Sequence, residues 1–316
     1  MKNNTKVAVC SRSFSNNRVL REILLSRYRN VTFNDKGVSL NGDSLIKFLR
    51  GHEKAITALE IIDDSVLSQL PELKVIGKYG VGLDMIDMDA MRRHGKCLGW
   101  TGGVNRRSVT ELVISFAISL LRHVPAAHRE VLSGIWRQHV GGYLSGRTIG
   151  IIGCGHIGKD LVPFLEAFGC NILVYDIIEY PEFYRSHNIE SISIEELLSR
   201  SDIVTLHVPL NESTRGMISE QRLSLMKPTA ILINAARGGL IDEVALKMML
   251  KDKRLAAAAL DVFAEEPPQD LELLALPNLL VTPHIGGSAD EAILAMGRAA
   301  INGLDDNEIP DSKTYA

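Results

Sequence analysis

Thr148-Ile149-Gly150-Ile151-Ile152-Gly153-Cys154-Gly155-His156-Ile157-Gly158 decides the fold. An apolar, β-prone run enters a G-x-G-x-x-G turn and leaves it as the start of a helix. Gly153 permits the tight turn, Gly155 removes the side chain where a pyrophosphate must approach, and Gly158 lets the helix close on its strand. Phosphate charge then falls on unpaired N–H groups at the positive end of the helix. A lone glycine motif is weak, but here the following strand, Ile172-Leu173-Val174-Tyr175-Asp176, ends in an acid at the ribose-binding distance. Asp176 suits ribose hydroxyls and repels a 2′-phosphate, and Ile177-Ile178 offers no arginine to offset that. NAD is therefore expected over NADP. The competing reading of Asp176, a cap on the next turn, has little weight in a complete βαβ context.

Working outward, strands are expected at Ile203 to Val208, Ala230 to Asn234, Ala256 to Val262 and Leu279 to Val281. Helices are expected between them at Ile157 to Phe168, Ile194 to Arg200, Ser219 to Met226 and Asp242 to Lys251. An earlier series has strands at Lys6 to Cys10, Asn30 to Phe33, Ala55 to Leu59 and Lys74 to Lys78. Its helices are Arg18 to Arg27, Leu45 to Arg50, Asp64 to Leu70 and Asp87 to His94. Alternation of this kind predicts two α/β units with parallel sheets. Between them lies a breaker, Thr101-Gly102-Gly103, and an apolar segment, Val109 to Leu121, read as a buried helix that Pro125 ends or kinks. The last helix, Ala289 to Leu304, could cross back to the first unit.

At 316 residues, two domains are the natural expectation. The net charge of -3 gives no footprint for nucleic acid or an acidic membrane. No apolar run reaches the roughly 18 residues of a membrane span. Cys10, Cys97, Cys154 and Cys170 form no CxxC pair and read as free thiols of a cytoplasmic protein. The nine histidines show no HExxH or similar spacing, so no metal is expected.

Three strings carry chemistry: Asn234-Ala235-Ala236-Arg237-Gly238-Gly239, Asp261-Val262-Phe263-Ala264-Glu265-Glu266-Pro267 and Val281-Thr282-Pro283-His284-Ile285-Gly286-Gly287. Each reads as the C-terminal end of a buried strand running into a loop, where open α/β sheets place ligands. A guanidinium, a carboxylate and an imidazole at one sheet edge suffice to reduce a 2-keto acid or oxidise a 2-hydroxy acid. His284 is the candidate acid/base, since an unperturbed imidazole pKa of about 6.5 serves both directions. Glu266 would orient the ring and favour its protonated form, with Glu265 a rival. Arg237 would bind the substrate carboxylate and polarise the carbonyl.

Over nearly its whole length the chain resembles the D-isomer-specific 2-hydroxyacid dehydrogenases. The match runs through Gly80-Val81-Gly82-Leu83-Asp84, Ser108-Val109-Thr110-Glu111-Leu112, the glycine loop, His207-Val208-Pro209 and the three strings above. The resemblance implies a Rossmann NAD domain inserted into a flavodoxin-like α/β substrate domain. The expected boundaries are 1–101 with 286–316 for the substrate-binding domain and 102–285 for the NAD-binding domain. It implies that Arg237, Glu266 and His284 are catalytic. It also implies cofactor contacts from Gly153, Gly155, His156, Ile157, Gly158, Asp176, His207, Val208, Pro209, Thr214, Ala235, Asp261 and Gly287. Pro209 and Thr214 read equally as ordinary loop residues, and His207 as a packed histidine at a strand end.

On the substrate side the resemblance assigns Lys78, Tyr79, Gly80, Val81, Gly82, Asn105 and Arg237. Lys78, Arg106 and Arg107 could meet a substrate phosphate or be solvated cations. Phosphoglycerate-like substrates come first, glyoxylate or hydroxypyruvate second, and an NAD(H)-sensing, corepressor-like binding protein is the alternative of another class. Two departures stand out: Asp84-Met85 where Asp-Asn is common, and no serine-sensing domain expected after the last helix. A homodimer through the NAD domain is implied, with Val109 to Leu121 fitting either that surface or interdomain burial.

Overall fold

The computed structural model describes residues 2–311. Its contacts divide into two compact units, Met1–Asn105 with Ser288–Ala316, and Arg106–Gly287. The changeovers thus fall at 105–106 and 287–288 rather than at 101–102 and 285–286. Between residues 101 and 105 the chain makes a turn, and the helix Arg106–Leu121 begins the second unit.

The first unit holds β1 (Asn3–Val9), β2 (Tyr28–Phe33), β3 (Lys54–Thr57), β4 (Val75–Lys78) and β5 (Cys97–Gly99). Every pairing is parallel, and the spatial order is β2-β1-β3-β4-β5, the flavodoxin-like arrangement. β5 was not foreseen, because three residues carry too little periodicity to read. Helix starts follow side-chain caps that meet otherwise unpaired N–H groups: Ser11 accepts from Phe14, Asp63 from Val66 and Asp87 from Ala90. The C-terminal helix Asp290–Gly303 packs against β4 and β5. A Cβ on Gly99 would stand 2.0 Å from the Gly303 carbonyl oxygen, so helix and strand touch backbone to backbone.

The second unit holds β6 (Thr148–Ile152), β7 (Asn171–Tyr175), β8 (Glu190–Ser191), β9 (Ile203–Leu206), β10 (Ile231–Asn234), β11 (Ala257–Leu260) and β12 (Leu279–Val281). They pair in parallel in the order β12-β11-β10-β9-β6-β7-β8. This is the doubly wound order, with a crevice at the switch between β6 and β9. Strand residues alternate between two cores, as a period of two demands. Ile151, Val174, Ile233 and Ala259 face one side with Phe116 and Leu161. Ile152, Leu173, Leu206, Leu232 and Leu260 face the other with Leu197 and Leu246.

Val109, Val113, Phe116, Ala117, Leu120 and Leu121 lie in the first of these cores. The apolar segment is therefore a core helix of the second unit. Pro125 does not kink it. The chain turns at His123 (φ 55), and Pro125 sits in the first turn of a separate helix, Val124–Leu132, where its missing N–H costs nothing. That helix was not foreseen, nor were Arg12–Asn16, Pro181–Ser186 and Leu271–Leu274. Among the described residues no single helix is long and apolar enough to cross a membrane.

Candidate active site

β6 enters the glycine loop and the helix His156–Ala167 leaves it. Gly153 has φ 98, and a Cβ there would stand 2.6 Å from the His207 carbonyl oxygen. A Cβ on Gly158 would meet the Gly153 carbonyl oxygen at 2.3 Å, whereas one on Gly155 would meet nothing within 4 Å. Two glycines are thus demanded by packing, and the third leaves open space where a phosphate can approach. No side chain caps this helix, whose N-cap is Gly155, so its first N–H groups remain for an anion.

Asp176 follows β7 and is anchored by its own backbone surroundings. One carboxylate oxygen accepts Cys154 N–H at 2.5 Å and the other accepts Ile178 N–H at 2.9 Å. Two bonds leave lone pairs for ribose hydroxyls. The residues after β9 also come to this crevice. A Cβ on Gly153 would touch Val208 at 2.8 Å. Thr214 Oγ1 donates to Pro209 O at 2.7 Å and accepts Asn211 N–H at 2.8 Å, closing the loop on itself. His207 Nε2 meets Thr205 Oγ1 at 3.0 Å, while its buried Nδ1 has no hydrogen-bond partner. Desolvation pushes this imidazole's pKa down to about 3, so the ring is neutral. His156 is exposed and Ile157 half-buried at the helix start. These residues fit a dinucleotide: a side-chain-free approach, an uncapped helix end and an anchored acid.

The three strings leave three neighbouring strands. Asn234 pairs with Leu260, and Leu260 with Val281, so β10, β11 and β12 end in line. Two strand spacings cover about 10 Å, which brings Arg237, Glu266 and His284 to one edge. Within it, Glu266 Oε2 and His284 Nδ1 are 2.9 Å apart. The neighbouring Glu265 is exposed, and Glu266 is the carboxylate that meets the ring. The side chains of His284 and Glu266 are 48% and 40% exposed. At such exposure the contact adds little stability, so its consequence is orientation: Nδ1 is engaged and the ring is held in place.

Carboxylates and amides hold these loops. Asp261 is 1% exposed. Its Oδ1 accepts Thr282 Oγ1–H at 2.5 Å and Ile285 N–H at 2.7 Å, and its Oδ2 accepts Gly286 N–H at 2.7 Å. His284 itself sits at φ 54, a strained conformation for a non-glycine residue, and its N–H reaches Asp261 O at 2.8 Å. Ser108 Oγ donates to Gly286 O at 2.6 Å, and Gly287 follows half-buried. On β10, the buried Asn234 donates to Arg237 O at 2.8 Å and accepts Ala236 N–H at 3.1 Å. Arg237 is half-buried, with one Nη1 bond to Ala236 O at 2.7 Å, and Ala235 is buried beside it.

In the first unit, β4 ends at Lys78 and passes into Tyr79-Gly80-Val81-Gly82. Lys78 is not a solvated cation: it is 4% exposed and its ammonium donates to Ala58 O. That ammonium lies 3.8 Å from where a Gly80 Cβ would stand, with Gly80 at φ 114. The Tyr79 ring turns into the core, edge-on to Phe14 at 5.5 Å between centroids. Val81 accepts Trp100 Nε1–H through its carbonyl at 3.1 Å. Asn105 is buried, with its Oδ1 unpartnered. Arg107 is committed elsewhere in the second unit. It grips Asp160 at 2.9 and 3.1 Å and covers the Phe164 ring at 4.5 Å. Arg107 also holds the Asp160 carboxyl below the usual carboxylate range. Arg106 is 3.5 Å from the same acid and half exposed.

Sequence reasoning missed the supports: Asn234, Gly238, Glu243 and the loop-holding use of Asp261. Nothing in a single sequence separates an Asn at a strand end from a turn former, or an acid in a first helical turn from a dipole partner.

Residues 114–286 match the model of the D-isomer specific 2-hydroxyacid dehydrogenase NAD binding domain. The chain is 43% identical over 235 residues to a D-3-phosphoglycerate dehydrogenase of Methanocaldococcus jannaschii, covering 73% of this chain and 45% of that one. It is 37% identical over 252 residues to a glyoxylate reductase of Thermococcus litoralis, covering 77% and 76%. The chain spans about half the length of the phosphoglycerate dehydrogenases it matches. A D-lactate dehydrogenase structure from Aquifex aeolicus, complexed with NAD and lactic acid, superposes with a TM-score of 0.82 at 25% identity, covering 95% of this chain and 94% of that one. With its two parallel sheets, its glycine loop and a family match across more than half its length, the chain belongs to the D-isomer-specific 2-hydroxyacid dehydrogenases.

Proposed function

We propose that the chain interconverts a small D-2-hydroxy acid and its 2-keto acid with NAD. The Glu266–His284 pair carries this reading, 2.9 Å apart and on the sheet edge that also bears Arg237. A bound nicotinamide supplies or accepts the hydride. In reduction, His284 Nε2 gives its proton to the keto oxygen; in oxidation it takes the hydroxyl proton. Glu266 fixes the ring through Nδ1 and leaves Nε2 to face the substrate. Arg237 pairs with the substrate carboxylate and draws electron density from the carbonyl. In the first unit, the Gly80–Gly82 backbone, with the buried Lys78 beside it, is the segment for substrate binding in this reading.

A phosphoglycerate-like substrate stands first, on the likeness to the M. jannaschii protein. Glyoxylate or hydroxypyruvate stands second, on the likeness to the T. litoralis protein. Four free thiols suit a cytoplasmic setting. A homodimer through the second unit is part of the same proposal, but its surface moves. The helix Val124–Leu132 buries none of its residues, and Leu132, Trp136, Val140 and Tyr143 are 74–93% exposed. An apolar stretch of this kind calls for a partner surface, and a second copy satisfies it. Trp136→Ser with Val140→Asp should halve the mass seen by light scattering; an unchanged mass would remove this face from the interface.

The test of function is steady-state turnover with NADH and 3-phosphohydroxypyruvate, hydroxypyruvate, glyoxylate and pyruvate in turn. NADH oxidation with at least one is expected. Tight NADH binding with no turnover on any of the four would replace the enzyme reading with that of an NAD(H) sensor.

A further inference from the structure

Glu243 opens the helix Glu243–Lys251, where an acid ordinarily serves the helix dipole. This one reaches away from its helix: Oε1 accepts the Ala264 N–H at 2.7 Å. Ala264 belongs to the turn in which Phe263 N–H is bound by Glu266 Oε1 at 3.1 Å. The other oxygen of Glu266 meets His284. The opposite neighbour of this turn is the Arg237 loop, so close that a Cβ on Gly238 would stand 1.8 Å from Phe263 O and 2.5 Å from Ala264 N. The Phe263–Glu266 turn is therefore braced by a side-chain acceptor and by a backbone without a side chain.

We propose that Glu243 is a positioning residue for the Glu266–His284 pair, acting through the Ala264 N–H. The proposal rests on the reading of His284 as the acid/base. A carboxylate is an expensive choice for a brace here. Partial burial raises the Glu243 carboxyl above its ordinary range, Asp270 and Glu266 add to the rise, and only the Ala264 N–H opposes it. Lys247, one turn along the same helix, is engaged by Asp270 at 2.7 Å and Glu272 at 3.3 Å. For stability alone an amide would serve as well.

Glu243→Ala and Glu243→Gln, in the full chain, test this by two readouts. Glu243→Ala should lower kcat about tenfold, as a displaced acid/base does, with the NADH Kd within about twofold of wild type. Amide exchange at Phe263 and Ala264 should rise about tenfold, while Ile285 and Gly286, held by Asp261, stay protected. Glu243→Gln keeps an oxygen acceptor and should recover kcat to within about threefold of wild type. Three results would overturn the proposal: wild-type kcat and exchange in Glu243→Ala, faster exchange across the whole unit together with weaker NADH binding, or no recovery in Glu243→Gln. If the wild type turns over no keto acid, the enzyme reading fails, and the exchange measurement still decides whether Glu243 holds the turn.

Discussion

The crevice at β6 and the edge formed by β10, β11 and β12 belong to one sheet and are built by opposite means. The crevice is made of backbone: three glycines, an uncapped helix end and one acid pinned by Cys154 and Ile178 N–H groups. The edge is made of side chains that grip other loops: Asp261 on Ile285 and Gly286, Glu266 on His284, Glu243 on Ala264. A crevice of backbone tolerates little change in shape and can be read from neighbouring residues. An edge of long-range grips depends on partners that the chain brings together only on folding.

The strongest way to separate the two regions is His284→Ala. Turnover should fall roughly 100-fold or more, the usual scale of acid/base catalysis, with NADH affinity unchanged by titration. Wild-type kcat in this variant would strip His284 of its role. Gly238→Ala and Gly155→Ala then make a matched pair. The first drives a methyl to 1.8 Å from Phe263 O and should cost about 1–3 kcal/mol in urea unfolding. The second meets nothing within 4 Å, so its unfolding midpoint should not move, while NADH binding weakens about tenfold as the phosphate approach fills. Equal effects on stability would contradict the distinction.

Asp176→Ala should shift the NAD/NADP preference about tenfold toward NADP, the scale of a charged hydrogen bond lost together with a repulsion removed. An unchanged ratio would take Asp176 off the ribose. The smallest effect concerns acid stability. His207 titrates in the folded state at about 3 against about 6.5 when unfolded. Between those values the unfolded chain carries the extra proton. The His207 contribution is therefore whole above about pH 6.5 and is lost as pH falls toward 3. At pH 5 the loss is about 2 kcal/mol by that linkage. His207→Gln should reduce the difference in urea stability between pH 7 and pH 5; an equal difference would mean that the ring is solvated.

The comparison also marks what could be read beforehand. The G-x-G-x-x-G turn and Asp176 lie within a single βαβ stretch, so local spacing carries their geometry. The strings around Arg237, Glu266 and His284 were legible as strand ends. Their alignment follows from Asn234 pairing with Leu260 and Leu260 with Val281, a register no single string contains. Val109 to Leu121 could be read as apolar but not assigned, because an apolar helix suits a core and an interface alike, and only packing shows its buried face in the core of the second unit. The exposed segment from Leu132 to Tyr143 passed unnoticed because its apolar residues follow no helix or strand period.

From residues alone came the α/β class, the dinucleotide turn, the NAD cofactor and the candidate reactive groups, since each depends on neighbours a few positions apart. Folding decided the rest. It selected Glu266 over Glu265, buried Lys78, tied Arg107 to Asp160 and set Glu243 against Ala264. These outcomes depend on which loops meet in space, and loops distant in sequence meet only when the sheet that carries them has formed.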